Sequence, residues 1–299
     1  MNNDSEHIGI LAAAAAAVIW GFLGIFVRGC SDIGITPVQM TCLRYMIVII
    51  ALAAYIFIFH RGYLKIDGRT FGIFLIMGIV GIMLNSTFYF QSMVMISISL
   101  STVLQYLAPF IVIVLSIPIL HERISKRKIM AVLTAFLGCI LCTGFISDPG
   151  GQDIIGIALG ALSGFCFATY TLCSKKVADT SNATTVLFYT GLICFIGLAP
   201  ICDMPSALNI MFGDVSNLLL IVGLGLGMTL LPFWLFNFAL ERVEAGKTSI
   251  VTFIEPMTAT ALGFAVFGED LTVEAMIGIA MILVALIIVN RKEPSGKTS

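Results

Sequence analysis

The sequence predicts an all-α integral membrane protein of ten transmembrane helices, arranged as two inverted five-helix repeats. Three observations carry this: the lengths of the apolar runs, the sidedness of the lysines and arginines, and a match of the chain with itself. Of the 299 residues, 59% are hydrophobic and 11% charged, and the mean hydropathy is +1.05. Soluble domains carry about 25% charged residues, so a chain this apolar takes lipid as its solvent. The charges sit in short stretches between the apolar runs. No basic face forms outside those stretches, which excludes nucleic acid as an expected partner.

A hydrocarbon core about 30 Å thick takes roughly 20 apolar helical residues. Ten segments meet this: 8–27, 36–59, 71–93, 99–120, 129–147, 154–174, 183–202, 216–240, 246–267 and 273–290. Turn-forming residues punctuate the connections, as in Asp148-Pro149-Gly150-Gly151 and Asp203-Met204-Pro205-Ser206. The N-terminus MNNDSEHI is acidic and the first apolar run is long enough to span, so no cleavable leader is expected.

Cytoplasmic loops retain lysine and arginine. The loops on the side of the N-terminus, with the C-terminal tail, hold Arg61, Lys65, Arg69, Arg123, Lys126, Arg127, Lys128, Lys175, Lys176, Arg242, Lys247, Arg291, Lys292 and Lys297, whereas the opposite loops hold Arg28 alone. This asymmetry places both termini in the cytoplasm and requires an even number of spans. The expected location is the cytoplasmic membrane, multi-pass.

Shifted by 147 positions, the chain matches itself without gaps. Ile8-Gly9-Ile10 falls on Ile155-Gly156-Ile157, Gly78 on Gly225, Pro109 on Pro256, and Glu122-Arg123-Ile124-Ser125 on Glu269-Asp270-Leu271-Thr272. The weight rests on the prolines and glutamates sharing one register. The units are 8–147 and 154–291. Five spans is an odd number, so the second unit sits inverted relative to the first, an architecture that lets a scaffold open alternately to either side of a central site.

An ionisable group inside a span is costly unless paired or hydrated, and is read first as functional. Arg44 in the second span and Glu255 in the ninth are the two. Arg44 lies about eight residues, or roughly 12 Å, from the outer end of its helix, and Glu255 lies about as far from the inner end of its own. Their depths in the core then differ by about 6 Å, a gap two long side chains can bridge. Each breaks the repeat: Arg44 is matched by Gly191 and Glu255 by Ala108. One reading makes them substrate or proton sites. The other makes them a buried pair that locks packing, or an arginine that snorkels to the interface.

Pro109 and Pro256 fall mid-span, where each frees a backbone carbonyl, tolerable where a helix lines a cavity or packs on protein. Trp20, Asn85, Tyr89, Gln105, Tyr106, Tyr170, Trp234 and Asn237 are the polar and aromatic candidates to complete a pocket around Arg44 and Glu255. Asn85 and Tyr89 share a helix face, as do Gln105 and Pro109. The alternative for each aromatic is core or interface packing. Gly78/Gly81, Gly160/Gly164 and Gly223/Gly227 read as close helix contacts, and Glu122 and Glu269 as capping groups. Cys139 and Cys142 have CxxC spacing without a second pair, inside an apolar run, and read as small hydrophobes rather than metal or redox ligands. No metal and no cofactor are expected.

The chain resembles the drug/metabolite transporter superfamily, in particular its EamA-type permeases. The resemblance rests on Trp20-Gly21, Pro37 followed by Arg44, Leu107-Ala108-Pro109 leading to Glu122-Arg123, Glu255-Pro256 leading to Gly268-Glu269-Asp270-Leu271-Thr272, and Gly278. It implies a ten-helix inverted-repeat fold and secondary transport of small metabolites such as amino acids, commonly export. The second half departs from the first in having Phe167 opposite Trp20 and Gly191 opposite Arg44. Expected partners are lipid and a small-molecule substrate, with or without protons, and the expected assembly is a monomer or homodimer. The competing readings are a structural or sensory membrane protein and an intramembrane enzyme. The enzyme reading is disfavoured, because the spans hold no HExxH, no aspartate pair and no deep histidine.

Overall fold

The computed structural model describes residues 3–96, 98–144, 153–267 and 272–290. The turn at 148–151, Glu269 with its neighbours Gly268, Asp270 and Leu271, and the basic residues Arg291, Lys292 and Lys297 lie outside the described residues. In chain order the helices are α1 (Asn3–Gly21), α2 (Leu23–Asp32), α3 (Pro37–Phe59), α4 (Gly68–Ile76), α5 (Asn85–Met95), α6 (Ile98–Gln105), α7 (Ala108–Leu120), α8 (Lys126–Cys142), α9 (Ile154–Val177), α10 (Ala183–Leu198), α11 (Met204–Gly213), α12 (Val215–Gly225), α13 (Leu231–Arg242), α14 (Ala245–Val251), α15 (Ile254–Phe267) and α16 (Val273–Asn290). Among the described residues there is no strand.

Helix starts follow from the loop chemistry. A side-chain oxygen at the N-cap takes one of the amides that the first turn leaves unbonded. Thr36 and Gln39 form a reciprocal capping box ahead of α3, with Pro37 in the first turn. Ser125, Asp153, Asn182, Asp203 and Asp214 cap α8, α9, α10, α11 and α12 in the same way.

Among the described residues, seven helical stretches are long and apolar enough to cross a membrane: Asp4–Asp32, Pro37–Phe59, Gly68–Met95, Leu100–Leu120, Ile154–Val177, Val215–Arg242 and Val273–Asn290. The other three expected spans are shorter or divided. The helix expected over 129–147 is α8, 17 residues long, and it ends just before Gly144, whose φ is +69°. The one expected over 183–202 is α10, 16 residues long, which stops two positions before Pro200. The one expected over 246–267 divides at Thr252-Phe253 into α14 and α15. The first span also divides, at Phe22, whose amide bonds to the Ile19 carbonyl at 3.0 Å.

Two of the long stretches contain π-helical turns, Met77–Leu84 between α4 and α5 and Leu226–Leu230 between α12 and α13. Elements of the two halves recur at a spacing of 146 or 147 positions: α3 with α10, α4 with α12, α6 with α14, α7 with α15, and α8 with α16. The pair α8 and α16 crosses closely at Gly138 and Gly278. A Cβ on Gly138 would stand 2.7 Å from the Gly278 carbonyl oxygen, and one on Gly278 would stand 2.6 Å from that of Gly138. Only glycines permit this approach. Around the centre, α1 packs on α13 and α15, α3 on α10, and α5, α6 and α7 on α9.

Candidate functional site

The central cavity has a volume of about 340 Å³ and lies among α1, α2, α3, α5, α6, α7, α9, α13 and α15. Its floor is aromatic. Trp20, 6% exposed, meets Phe233 edge-on at 5.1 Å between ring centroids and Phe167 at 6.2 Å. Its mouth lies toward the helix ends away from Asn3 and includes Arg28, Phe90 and Met93.

Two helix breaks bring polar groups to the cavity wall. Pro109 supplies no amide to the Gln105 carbonyl, and Pro256 supplies none to that of Thr252. Each freed carbonyl finds another neighbour. The Tyr106 hydroxyl donates to the Thr252 carbonyl at 3.3 Å, and its ring stacks on Phe253 with centroids 4.9 Å apart. The carbonyls of Leu104 and Gln105 turn toward α9 at Gly164, where a Cβ would come within 2.9 and 3.0 Å of them. Asn85 fastens the same region by donating from Nδ2 to the Ser163 carbonyl at 2.8 Å.

Glu255 occupies the first turn of α15, beside the Tyr106 hydroxyl. Arg44 is 7% exposed; its Nη2 donates to Ser86 Oγ at 2.8 Å, and its guanidinium lies 5.1 Å from the Tyr45 ring centroid. Among the described residues no ion pair joins Arg44 to Glu255, although both line the cavity. Arg44 turns to Ser86 instead, a neighbour closer in the packing than the far wall. Arg44 Nε and Gln105 Oε1 are buried and have no protein partner. The cavity wall therefore carries a carboxyl, a guanidinium and an amide, and Arg44 Nε and Gln105 Oε1 keep unused hydrogen-bonding capacity behind its surface.

Of the residues singled out in the sequence, Trp20, Arg44, Asn85, Tyr89, Gln105, Tyr106, Glu255 and both prolines, Pro109 and Pro256, line this cavity. Tyr89 also hydrogen-bonds Thr102 at 3.1 Å. Three do not line it. Tyr170 and Asn237 are buried between α9 and α13, joined by a 2.7 Å bond from Asn237 Nδ2 to the Tyr170 hydroxyl. Trp234 donates from Nε1 to Thr184 Oγ1 at 3.1 Å and stacks on Phe238. The sequence reading missed Arg28, Ser86, Thr102 and Thr252, which also line the cavity. Ser86 and Thr252 carried a usable signal, being adjacent to Asn85 and one turn before Pro256. Arg28 carried none, since its sequence position reads as an outer-loop charge, whereas it lies on α2.

On the side of Asn3 the protein is closed by charge. Glu122 accepts from the amides of Ala245 and Gly246 at 2.7 and 3.3 Å, at the start of α14. Lys128 pairs with Glu244 at 2.6 Å, and Lys247 with Glu6 at 2.8 Å.

Known proteins resemble the chain over 62% to 95% of its length. An uncharacterized transporter of Archaeoglobus fulgidus is 28% identical over 284 residues, 95% of this chain and 97% of that protein. The transporter YwfM of Bacillus subtilis is 28% identical over 200 residues, 64% of each chain. Protein PecM of Dickeya dadantii is 26% identical over 187 residues, 62% of each. A solved crystal structure superposes with a TM-score of 0.76 over 97% of both chains at 18% identity, a likeness of fold alone. The EamA-like transporter family matches residues 7–144 and again residues 154–291. With a multi-pass apolar helical fold, a polar cavity within it and a family match over both halves, the chain belongs to the EamA-like transporter family.

Proposed function

We propose that this protein is a secondary transporter that exports small metabolites such as amino acids by alternating access. Its ten membrane helices would form two inverted five-helix repeats, 8–147 and 154–291, in the cytoplasmic membrane with both termini inside. The observation that carries the reading is the cavity, where Glu255 and Arg44 line one space without neutralising each other. An unpaired charge in a membrane interior is costly unless a ligand or water meets it. A substrate with an amino and a carboxyl group would meet both, its apolar part lying against Trp20 and Phe233. The two-repeat reading is supported by the recurrence of elements at 146 or 147 positions and by the double family match. Short α8 and α10 still cross in this reading, because connecting residues and local thinning of the bilayer take up the mismatch.

The test is purified protein in proteoliposomes, assayed for uptake and efflux of an amino-acid and metabolite panel with and without a proton gradient. The expected result is saturable movement of at least one zwitterionic solute, slowed at least about tenfold by Glu255→Gln. Movement of no solute favours the structural or sensory reading instead.

A further inference from the structure

At the 147-residue offset the mouth residues Leu23, Val27, Arg28, Phe90 and Met93 fall on Tyr170, Ser174, Lys175, Asn237 and Leu240. The first five line an open cavity; the second five are joined across α9 and α13 in two groups, Tyr170 and Ser174 to Asn237, and Lys175 to Leu240. Ser174 Oγ donates to Asn237 Oδ1. Asn237 Nδ2 donates to the Tyr170 hydroxyl and to the Phe233 carbonyl, both at 2.7 Å. Lys175 Nζ donates to the Leu240 carbonyl at 2.7 Å, in the last turn of α13, where helix carbonyls have no partner of their own. Tyr170 and Leu240 are fully buried, and Ser174 and Asn237 are 2% exposed.

We infer that these five residues form a polar clasp between α9 and α13 that holds a second vestibule shut, and that they become its lining when the cavity opens toward the side of Asn3. The inference rests on the alternating-access reading. Its own basis is chemical. The first half fills three of these positions with Leu23, Val27 and Phe90, so the matched place in the scaffold does not itself require hydrogen-bonding groups. A hydroxyl, an amide, a phenol and an ammonium are costly in a permanent core unless every bond is kept. They suit a surface that alternates, because water replaces each partner when the helices part. The clasp stands directly behind the aromatic floor, since Phe233 both accepts from Asn237 and lines the cavity. Releasing it therefore frees a floor residue.

The experiment uses the full chain in proteoliposomes, with native cysteines replaced and one reporter cysteine at Met93→Cys or Leu240→Cys. A membrane-impermeant maleimide is applied from each face. In the parent, Met93→Cys reacts quickly from one side and Leu240→Cys slowly from the other. Losing one buried hydrogen-bonding centre shifts such an equilibrium about tenfold. Asn237→Ala is expected to speed Leu240→Cys labelling by about that factor and slow Met93→Cys labelling. Unchanged rates in folded Asn237→Ala protein overturn the clasp, as does faster Leu240→Cys labelling with no change at Met93→Cys, which is local loosening. If Asn237→Ala does not fold, Ser174→Ala decides by the same two rates, with a smaller shift expected. If the parent never labels at Leu240→Cys under any substrate condition, alternating access itself fails. Labelling in the parent without a response to either variant removes the clasp alone.

Discussion

The break between α6 and α7 and the break between α14 and α15 sit at matching places, each with a proline in the first turn of the second helix. The two touch through Tyr106 and Phe253, which are matched residues stacked at 4.9 Å. They differ in what precedes the proline. Both residues line the cavity, but Ala108 brings only a methyl group, is 2% exposed and has its amide against Gly164, whereas Glu255 brings a carboxyl. One backbone device thus serves twice, as a packing joint in the first half and as a mount for a charge in the second. The comparison teaches that the scaffold is shared while a carboxyl is added at only one of the two breaks.

The largest expected effect comes from removing the added chemistry. A hydrogen bond to a charged group contributes about 1.5–3 kcal/mol, so Glu255→Gln should lower transport of a zwitterionic substrate roughly tenfold to hundredfold. Its thermal unfolding should change little; transport at the parental rate would sink the assignment. The mirror change, Ala108→Glu, should damage the fold instead, because it forces a carboxyl and one further carbon into a position that is 2% exposed and tight against Gly164. Overpacking and burial of a polar group together cost about 2–5 kcal/mol. The readout is the fraction of monodisperse protein in detergent, expected to collapse for Ala108→Glu and to hold for Glu255→Gln.

Gly164→Ala probes the joint more gently. Its Cβ would press on the Leu104 and Gln105 carbonyls, with about 1–3 kcal/mol lost and a Tm a few degrees lower. Gly227, whose Cβ would meet nothing within 4 Å, is the control for helix-glycine substitution, and Gly227→Ala should leave Tm the same or higher. The smallest change is Tyr106→Phe, which keeps the stack on Phe253 and removes the bond to the Thr252 carbonyl. About 1 kcal/mol is at stake, seen as a modest Tm shift.

Much of the fold was legible because lipid imposes a simple code of apolar length and flanking polar caps. The capping residues Thr36, Asp153 and Asn182 begin helices within a few residues of the boundaries the hydropathy pattern predicts. The division of two spans at Phe22 and Thr252-Phe253 was not legible as a change of helix, since apolar residues run through both points. At the site, the prolines and the two buried charges pointed to the cavity because each is unfavourable in lipid without a reason. Tyr170, Trp234 and Asn237 looked equivalent to Tyr89 in the sequence, yet side-chain partners on neighbouring helices, Ser174 and Thr184 among them, hold Asn237 and Trp234 elsewhere. Such pairings across helices have no local signature. The expected approach of Arg44 to Glu255 failed for a related reason: depth along two helices says nothing of which nearer group, here Ser86, will be taken first.

The π-helical turn at Met77–Leu84 has a consequence for the angular phase of everything that follows it. A π turn carries an extra residue relative to an α turn, and each α-helical residue advances the chain by about 100°. Asn85, Ser86 and Tyr89 reach the cavity from a helix whose bearing is set by that surplus residue. Deleting one residue between 77 and 84 would leave composition and hydropathy almost unaltered. It would nonetheless swing α5 by about a quarter turn, carrying the partner of Arg44 away from it and presenting an apolar flank in its place.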